Sequence, residues 1–128
     1  MALAADHACA DVMEVSMQMI VAVVKPNKVE AVKSALIELG VLGMTALESK
    51  GFAKQLGHNE RYRGPKLDAG WVPKLTVFVC VKDTDREAVV QAIIAAAKTG
   101  SVGDGKVFTL PLSEVVRIRT GELNEAAL

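Results

Sequence analysis

Leu75-Thr76-Val77-Phe78-Val79-Cys80-Val81-Lys82 decides how this chain folds. Leu75, Val77, Val79 and Val81 alternate with Thr76, Phe78, Cys80 and Lys82, which is the period of a strand with two different faces. Directly after it, Asp83, Thr84 or Asp85 can cap a helix whose apolar stripe runs through Ala88, Val89, Ala92, Ile93 and Ala96, with Thr99-Gly100 as its stop. Val107 to Leu110 and Glu114 to Arg119 then read as extended pieces broken at Pro111.

Working back from the same stretch, the order repeats. Gln18 to Val24 is an apolar, β-branched run closed by Lys25-Pro26, the pattern of a strand covered on both faces. Asn27 is placed to cap a helix carrying Val29, Val32, Leu36 and Leu39, and Gly40 ends it. Val41 to Phe52 is a second, less regular extended segment. The chain is thus β-α-β, a long connection, then β-α-β. That is the split βαβ order of a ferredoxin-like α+β domain, an antiparallel sheet with two helices on one face. Two helices cover one face only, while the first strand is apolar on both, so the sequence predicts a homo-oligomer.

With 128 residues, 51% of them hydrophobic and only five aromatic, the composition is that of one ordinary globular domain. Formal net charge is zero, which removes the main argument for a nucleic-acid partner. Cys9 and Cys80 have no CxxC spacing, so neither a disulfide framework nor a zinc site is expected. Residues 1–16, with His7 and Cys9, precede the regular pattern and read as an extension or a misplaced start, Met13, Met17 and Met19 being alternative starts. The domain proper is 17–128. The opening residues lack the form of a secretory signal and no run reaches transmembrane length, so a cytoplasmic protein without membrane insertion is expected.

Two patterns carry chemistry. Thr99-Gly100-Ser101-Val102-Gly103-Asp104-Gly105-Lys106 has three glycines within six residues followed by a lysine, a composition that lets backbone amides converge on an anion. It is not a P-loop, since Val107 stands where Ser or Thr is needed, and alone it reads first as a tight turn. Arg117 and Arg119, two apart on an expected strand, point the same way and suit a phosphate or carboxylate. The alternative is a surface ion pair with Glu114 or Glu122. Taken together, the loop and the arginine pair favour a phosphate site.

The connection from Lys54 to Val72 is far longer than a hairpin needs. It mixes Lys54, Arg61, Arg63 and Lys66 with Tyr62, Leu67 and Trp71, the residues of a partner-docking segment or of a solvated flap. His58 has no catalytic companions, and no nucleophile-base pair or paired carboxylates occur anywhere, so an enzyme is not expected.

Gly51-Phe52, Gln55, Gly57-His58, Tyr62-Arg63-Gly64, Pro73-Lys74, Thr99-Gly100, Gly103-Asp104-Gly105-Lys106-Val107-Phe108 and Arg117-Ile118-Arg119-Thr120-Gly121-Glu122, in this order and spacing, closely resemble the PII nitrogen-regulatory signalling family. The likeness runs from Met17 to Leu128 without a gap. It implies a homotrimer with an ATP or ADP site in each cleft between neighbours. By position, Gly103, Asp104, Gly105 and Lys106 would form the phosphate loop, Arg117 and Arg119 would come from the facing subunit, and Thr45 would lie near the adenine. Gln55 would ligate Mg together with ATP phosphates. Lys74, with Gln55, Leu56 and Gly57, would hold 2-oxoglutarate.

The resemblance also makes the loop at about 53–73 regulatory, with Tyr62, Arg63, Gly64 and Leu67 docking on a target such as an ammonium channel or a nitrogen-metabolism enzyme. Departures from the family pattern stand out. Leu67 and Pro65 replace the modified tyrosine and serine, which excludes those modifications. Ala53-Lys54 replaces a Gly-Arg pair, Leu56 a lysine, Phe78 a glutamate and Ser101 a lysine. The expected function is a nitrogen and carbon sensor. The alternatives are a divergent sensor of inorganic carbon or adenylates, or a small acylphosphatase-type enzyme using Lys106 and Arg117 to hold phosphate.

Overall fold

A computed structural model describes residues 16–53 and 70–128. Strand β1 is Met17–Val24, helix α1 Val29–Glu38, β2 Thr45–Gly51, β3 Val72–Lys82, α2 Arg86–Ala97 and β4 Lys106–Pro111. The sheet order is β2-β3-β1-β4 and every neighbour is antiparallel, which is the predicted ferredoxin-like arrangement. Pairing sets Ile20 opposite Val79 and Ala22 opposite Val77. On that face Ile20, Ala22 and Val24 join Val77, Val79 and Val81, buried beneath Val32 and Leu36 of α1 and Val89, Ile93 and Ala97 of α2. A period of two on the strands thus meets a period of 3.6 on the helices, and both cover the same core.

The helix starts differ from expectation. Asn27 does not cap α1. Pro26–Lys28 forms a 3-10 turn with proline at its first position, and Lys28 N–H donates to the Lys25 carbonyl at 2.9 Å. Asp83–Asp85 is likewise a 3-10 turn before α2, without a side-chain cap. Tight turns satisfy the first amides that a cap would have taken, and proline presets the backbone. Asp83 instead accepts from Gln18 Nε2 at 3.0 Å, tying the turn to β1.

The predicted stop at Gly40 is present. Its φ is +91°, its N–H donates to Ile37 at 2.9 Å, and Val41 N–H returns to Leu36 at 3.1 Å. This is the Schellman closure, which glycine enters without strain. The second strand begins only at Thr45, because Val41 and Met44 pack against the core as part of the preceding loop.

Glu114 to Arg119 is not a strand. The segment doubles back through a turn with Gly121 at φ +77° and Asn124 at φ +54°, so that Val116 bridges Leu123 and Arg117 N–H donates to the Glu122 carbonyl at 2.9 Å. Ile118 sits at the tip, 99% exposed. Arg117 and Arg119 therefore stand on a turn and not side by side on a flat face.

The other sheet face carries Met19, Val21 and Val23 with Phe78, Cys80, Phe108, Leu110 and Leu47, by the pairing of Val21 with Phe78 and Phe108 and of Thr76 with Leu47. Phe108 and Leu110 are each 47% exposed and Leu47 54%. The C-terminal segment borders Phe78 and Cys80 on this face but leaves Phe108, Leu110 and Leu47 open.

Residues 1–15 and 54–69 lie outside the described residues, and with them most of the predicted extension and of the long loop. The loop's base is described. Gly51 pairs with Val72, and the Phe52 and Trp71 rings meet edge to face at 5.7 Å.

Leu36 is fully buried whereas Ile118 is fully exposed, so the same truncation made at each should separate core from tip. Leu36→Ala is expected to cost about 3 kcal/mol in urea unfolding, and Ile118→Ala under about 0.5 kcal/mol.

Candidate anion-binding site

After α2, residues 98–105 form the glycine loop and deliver the chain to β4, where Lys106 pairs with Val23. Gly100, Gly103 and Gly105 have φ of +88°, +95° and +100°. Gly105 has a second constraint. A Cβ there would lie 1.7 Å from the Val23 carbonyl oxygen, so the loop crosses the end of β1 in backbone contact. Only glycine meets both demands.

Inside the loop, Asp104 turns back on the chain. Its carboxylate accepts the Thr99 and Gly100 amides at 2.8 Å each and the Thr99 hydroxyl at 2.5 Å, and it pairs with Lys25 Nζ at 3.2 Å. The Thr99 hydroxyl, then the Thr99 and Gly100 amides, with Lys25 adding to them, hold this carboxyl well below the usual carboxylate range. Lys25 also donates to Ser101 Oγ at 2.9 Å and Thr99 Oγ1 at 3.1 Å. From the next strand, Lys74 Nζ donates to the Gly103 carbonyl at 2.5 Å. Gly103, Gly105 and Lys106 are exposed beside this framework. Two glycine backbones and a lysine at one end of the sheet are therefore open to an anion, while the Asp104 carboxylate serves the loop itself.

Thr45 and Arg117 belong to a different place. Both line an open cleft of about 820 Å³ that also includes Phe78, Cys80, Glu125 and Leu128. Arg117 donates to the Leu128 and Ala127 carbonyls at 3.2 and 3.4 Å and pairs with Glu122 at 3.2 Å, so one predicted alternative, the local ion pair, is present in the single chain. Arg119 is exposed on the adjoining turn. The register Thr45, Phe78, Val21, Phe108 crosses the whole sheet. Thr45 is thus three strand spacings, about 14 Å, from β4. The predicted site residues fall into two groups at opposite sheet edges.

Gln55, Leu56, Gly57, Tyr62, Arg63, Gly64 and Leu67 lie outside the described residues. Among the described residues no cluster of three His, Cys, Asp or Glu side chains can hold a metal, and no helix is long and apolar enough to cross a membrane. Burial pushes the Cys80 thiol up, and its Sγ lies 3.9 Å from Met19 Sδ on the open face. Lys25 was missed by reading the sequence. The available signal was its place at the end of a strand, pinned by Pro26, in a chain whose later loop offers Thr99, Ser101 and Asp104 close together.

A ferredoxin-like domain with a glycine loop that leaves Gly103, Gly105 and Lys106 exposed at the end of the sheet defines the class. Residues 17–122 match the family model described as Nitrogen regulatory protein P-II. The chain is 46% identical over 112 residues to the nitrogen regulatory protein P-II of Microchaete diplosiphon, covering 88% of this chain and 100% of the relative. It is 43% identical, with the same coverage, to the nitrogen regulatory protein GlnK of Escherichia coli K12. The crystal structure of Arabidopsis thaliana PII bound to citrate superposes with a TM-score of 0.73 at 33% identity, covering 91% of this chain and 96% of that one. The chain belongs to the P-II family of nitrogen regulatory proteins.

Two outcomes check the loop. Gly105→Ala must displace the Val23 carbonyl and is expected to cost about 3 kcal/mol in chemical unfolding. Because the folded Asp104 carboxyl is held below its unfolded value, its stabilisation is complete above about pH 4 and fades as pH falls further. The melting-temperature gap between wild type and Asp104→Asn should accordingly be full at pH 7 and narrow at pH 3.

Proposed function

We propose that this chain is a PII-type signal transducer. It assembles as a homotrimer, binds ATP or ADP with Mg and 2-oxoglutarate, and regulates a target protein through the loop at about 53–73. The observation that carries the reading is the division of the site. Gly103, Gly105 and Lys106 stand at one sheet edge, Thr45 and Arg117 at the other, and the apolar face between them is open. A single small ligand reaches both groups only where the edge of one copy meets the opposite edge of another, and the uncovered face supplies the apolar area for that contact. A triphosphate then sits on glycine amides and Lys106 from one subunit and arginines from its neighbour.

Family membership supports the regulatory role. The Arabidopsis relative is bound to citrate, a small polycarboxylate, which agrees with a scaffold that takes anionic metabolites. Gln55 would hold the metal with the phosphates, and the charge of Mg would offset the triphosphate. Lys74, already poised at the glycine loop, would take a 2-oxoglutarate carboxylate, with Gln55, Leu56 and Gly57 adjoining.

Control follows from linkage. A metabolite that binds one arrangement of the loop more tightly shifts the population toward it, and any partner reading Tyr62, Arg63, Gly64 or Leu67 responds by the same free energy. Targets of this kind include an ammonium channel or a nitrogen-metabolism enzyme. The protein acts by binding, from the cytoplasm, and needs no turnover.

Calorimetric titration of MgATP, with and without 2-oxoglutarate, tests this beside a solution mass. The expected result is a trimer that binds MgATP, binds 2-oxoglutarate only when MgATP is present, and loses about tenfold or more in nucleotide affinity in Lys106→Ala or Arg119→Ala while remaining trimeric. A monomer, or a protein indifferent to nucleotide, overturns the reading.

A further inference from the structure

We infer that Lys25 is a positioning residue for the nucleotide loop, holding it in binding form through Asp104 without touching the ligand. The inference rests on the reading of Gly103, Gly105 and Lys106 as a phosphate cradle.

The root of Lys25 is fixed. It follows β1 directly, precedes Pro26, has extended backbone at φ −66° and ψ 140°, and its carbonyl accepts the Lys28 amide at 2.9 Å. Its ammonium has three N–H donors and meets three loop acceptors, Ser101 Oγ at 2.9 Å, Thr99 Oγ1 at 3.1 Å and Asp104 Oδ1 at 3.2 Å. None of the three remains for a phosphate. The stem runs against the loop itself, since Cε would lie 3.6 Å from a Cβ built on Gly103. Lys25 and Asp104 side chains are only 26% and 25% exposed, so their pairing is better shielded than an ordinary surface ion pair.

Two effects follow for an anion. The first is geometric. Asp104 gathers the Thr99 and Gly100 amides, Lys25 holds Asp104, and the glycines on either side of Asp104 inherit a defined orientation. A loop with three positive-φ glycines would otherwise pay a large ordering entropy on binding. The second is electrostatic. A carboxylate between Gly103 and Gly105 would repel a phosphate, and Lys25 cancels that charge, leaving Lys106 to set the sign of the site.

Lys25→Met, which keeps the stem and removes the donors, is the first variant. Asp104→Asn is the second, and the double substitution completes the cycle. MgATP affinity, by calorimetry on the assembled protein, is expected to fall about tenfold in Lys25→Met. Because both residues act through one lattice, the double variant should bind no more weakly than the worse single variant. Additive losses would mean that Lys25 contacts the phosphates directly and would overturn the inference.

Hydrogen exchange of the unliganded protein gives a readout independent of nucleotide. The Thr99 and Gly100 amides should exchange about tenfold faster in Lys25→Met, with the β1 and β3 amides unchanged. Unaltered exchange at Thr99 and Gly100 overturns the inference even if affinity falls. If wild type takes no MgATP, the nucleotide reading fails, and exchange at these two amides still decides whether Lys25 holds the loop.

Discussion

Gly105 packs its backbone against the carbonyl of Val23 so tightly that no Cβ fits, and this contact constrains everything around the candidate site. It lets the chain leaving α2 pass over the end of β1 and enter β4 in register, with Lys106 opposite Val23. Any side chain at this point would push β4 away from the sheet. The same crossing leaves Gly103 and Lys106 beside the two lysines Lys25 and Lys74, which arrive from the ends of β1 and β3. Sheet closure and the candidate anion site are therefore one construction, since the glycine that permits the first also leaves its own backbone exposed beside Lys106.

The sheet does the opposite for the remaining site residues. Its antiparallel order sends β2 to the far edge, so Thr45 and the cleft shared with Arg117 cannot serve the glycine loop of their own chain. Burial on one face and exposure of Phe108, Leu110 and Leu47 on the other make the isolated chain incomplete in packing as well as in its site. Under the proposed function both deficits would have the same remedy, a neighbour laid across the open face.

Most of the fold was legible because its signals are local. Alternation in Leu75 to Lys82, the apolar run of Gln18 to Val24 and the stop at Gly40 each report a backbone choice made by neighbouring residues. The failures have physical causes. Asn27 and Asp83 are good caps by type, but a 3-10 turn had already satisfied the amides that they would have accepted. Glu114 to Arg119 has the alternation of a strand, but Gly121 and Asn124 return it on itself, so Val116 bridges Leu123 within the segment. The glycine loop alone read first as a tight turn, and it became a candidate anion site only beside Arg117 and Arg119. Lys25 was not legible, because it and Thr99 are 74 positions apart and meet only through the β1-β4 pairing.

Lys74 stands between the glycine loop and the base of the long loop. It stands in β3 just beyond the Gly51 and Val72 pair that closes the base of the long loop, yet its ammonium is spent on the Gly103 carbonyl. Under the proposed function it also receives a metabolite carboxylate. A charged acceptor outcompetes a neutral carbonyl for the same donor, so Lys74 must be shared or surrendered when that metabolite arrives. Under that reading the position of one ammonium would link the glycine loop to the base of the long loop over a few residues of continuous strand. The rigid packing of Val77 and Val79 directly beyond it keeps that displacement local.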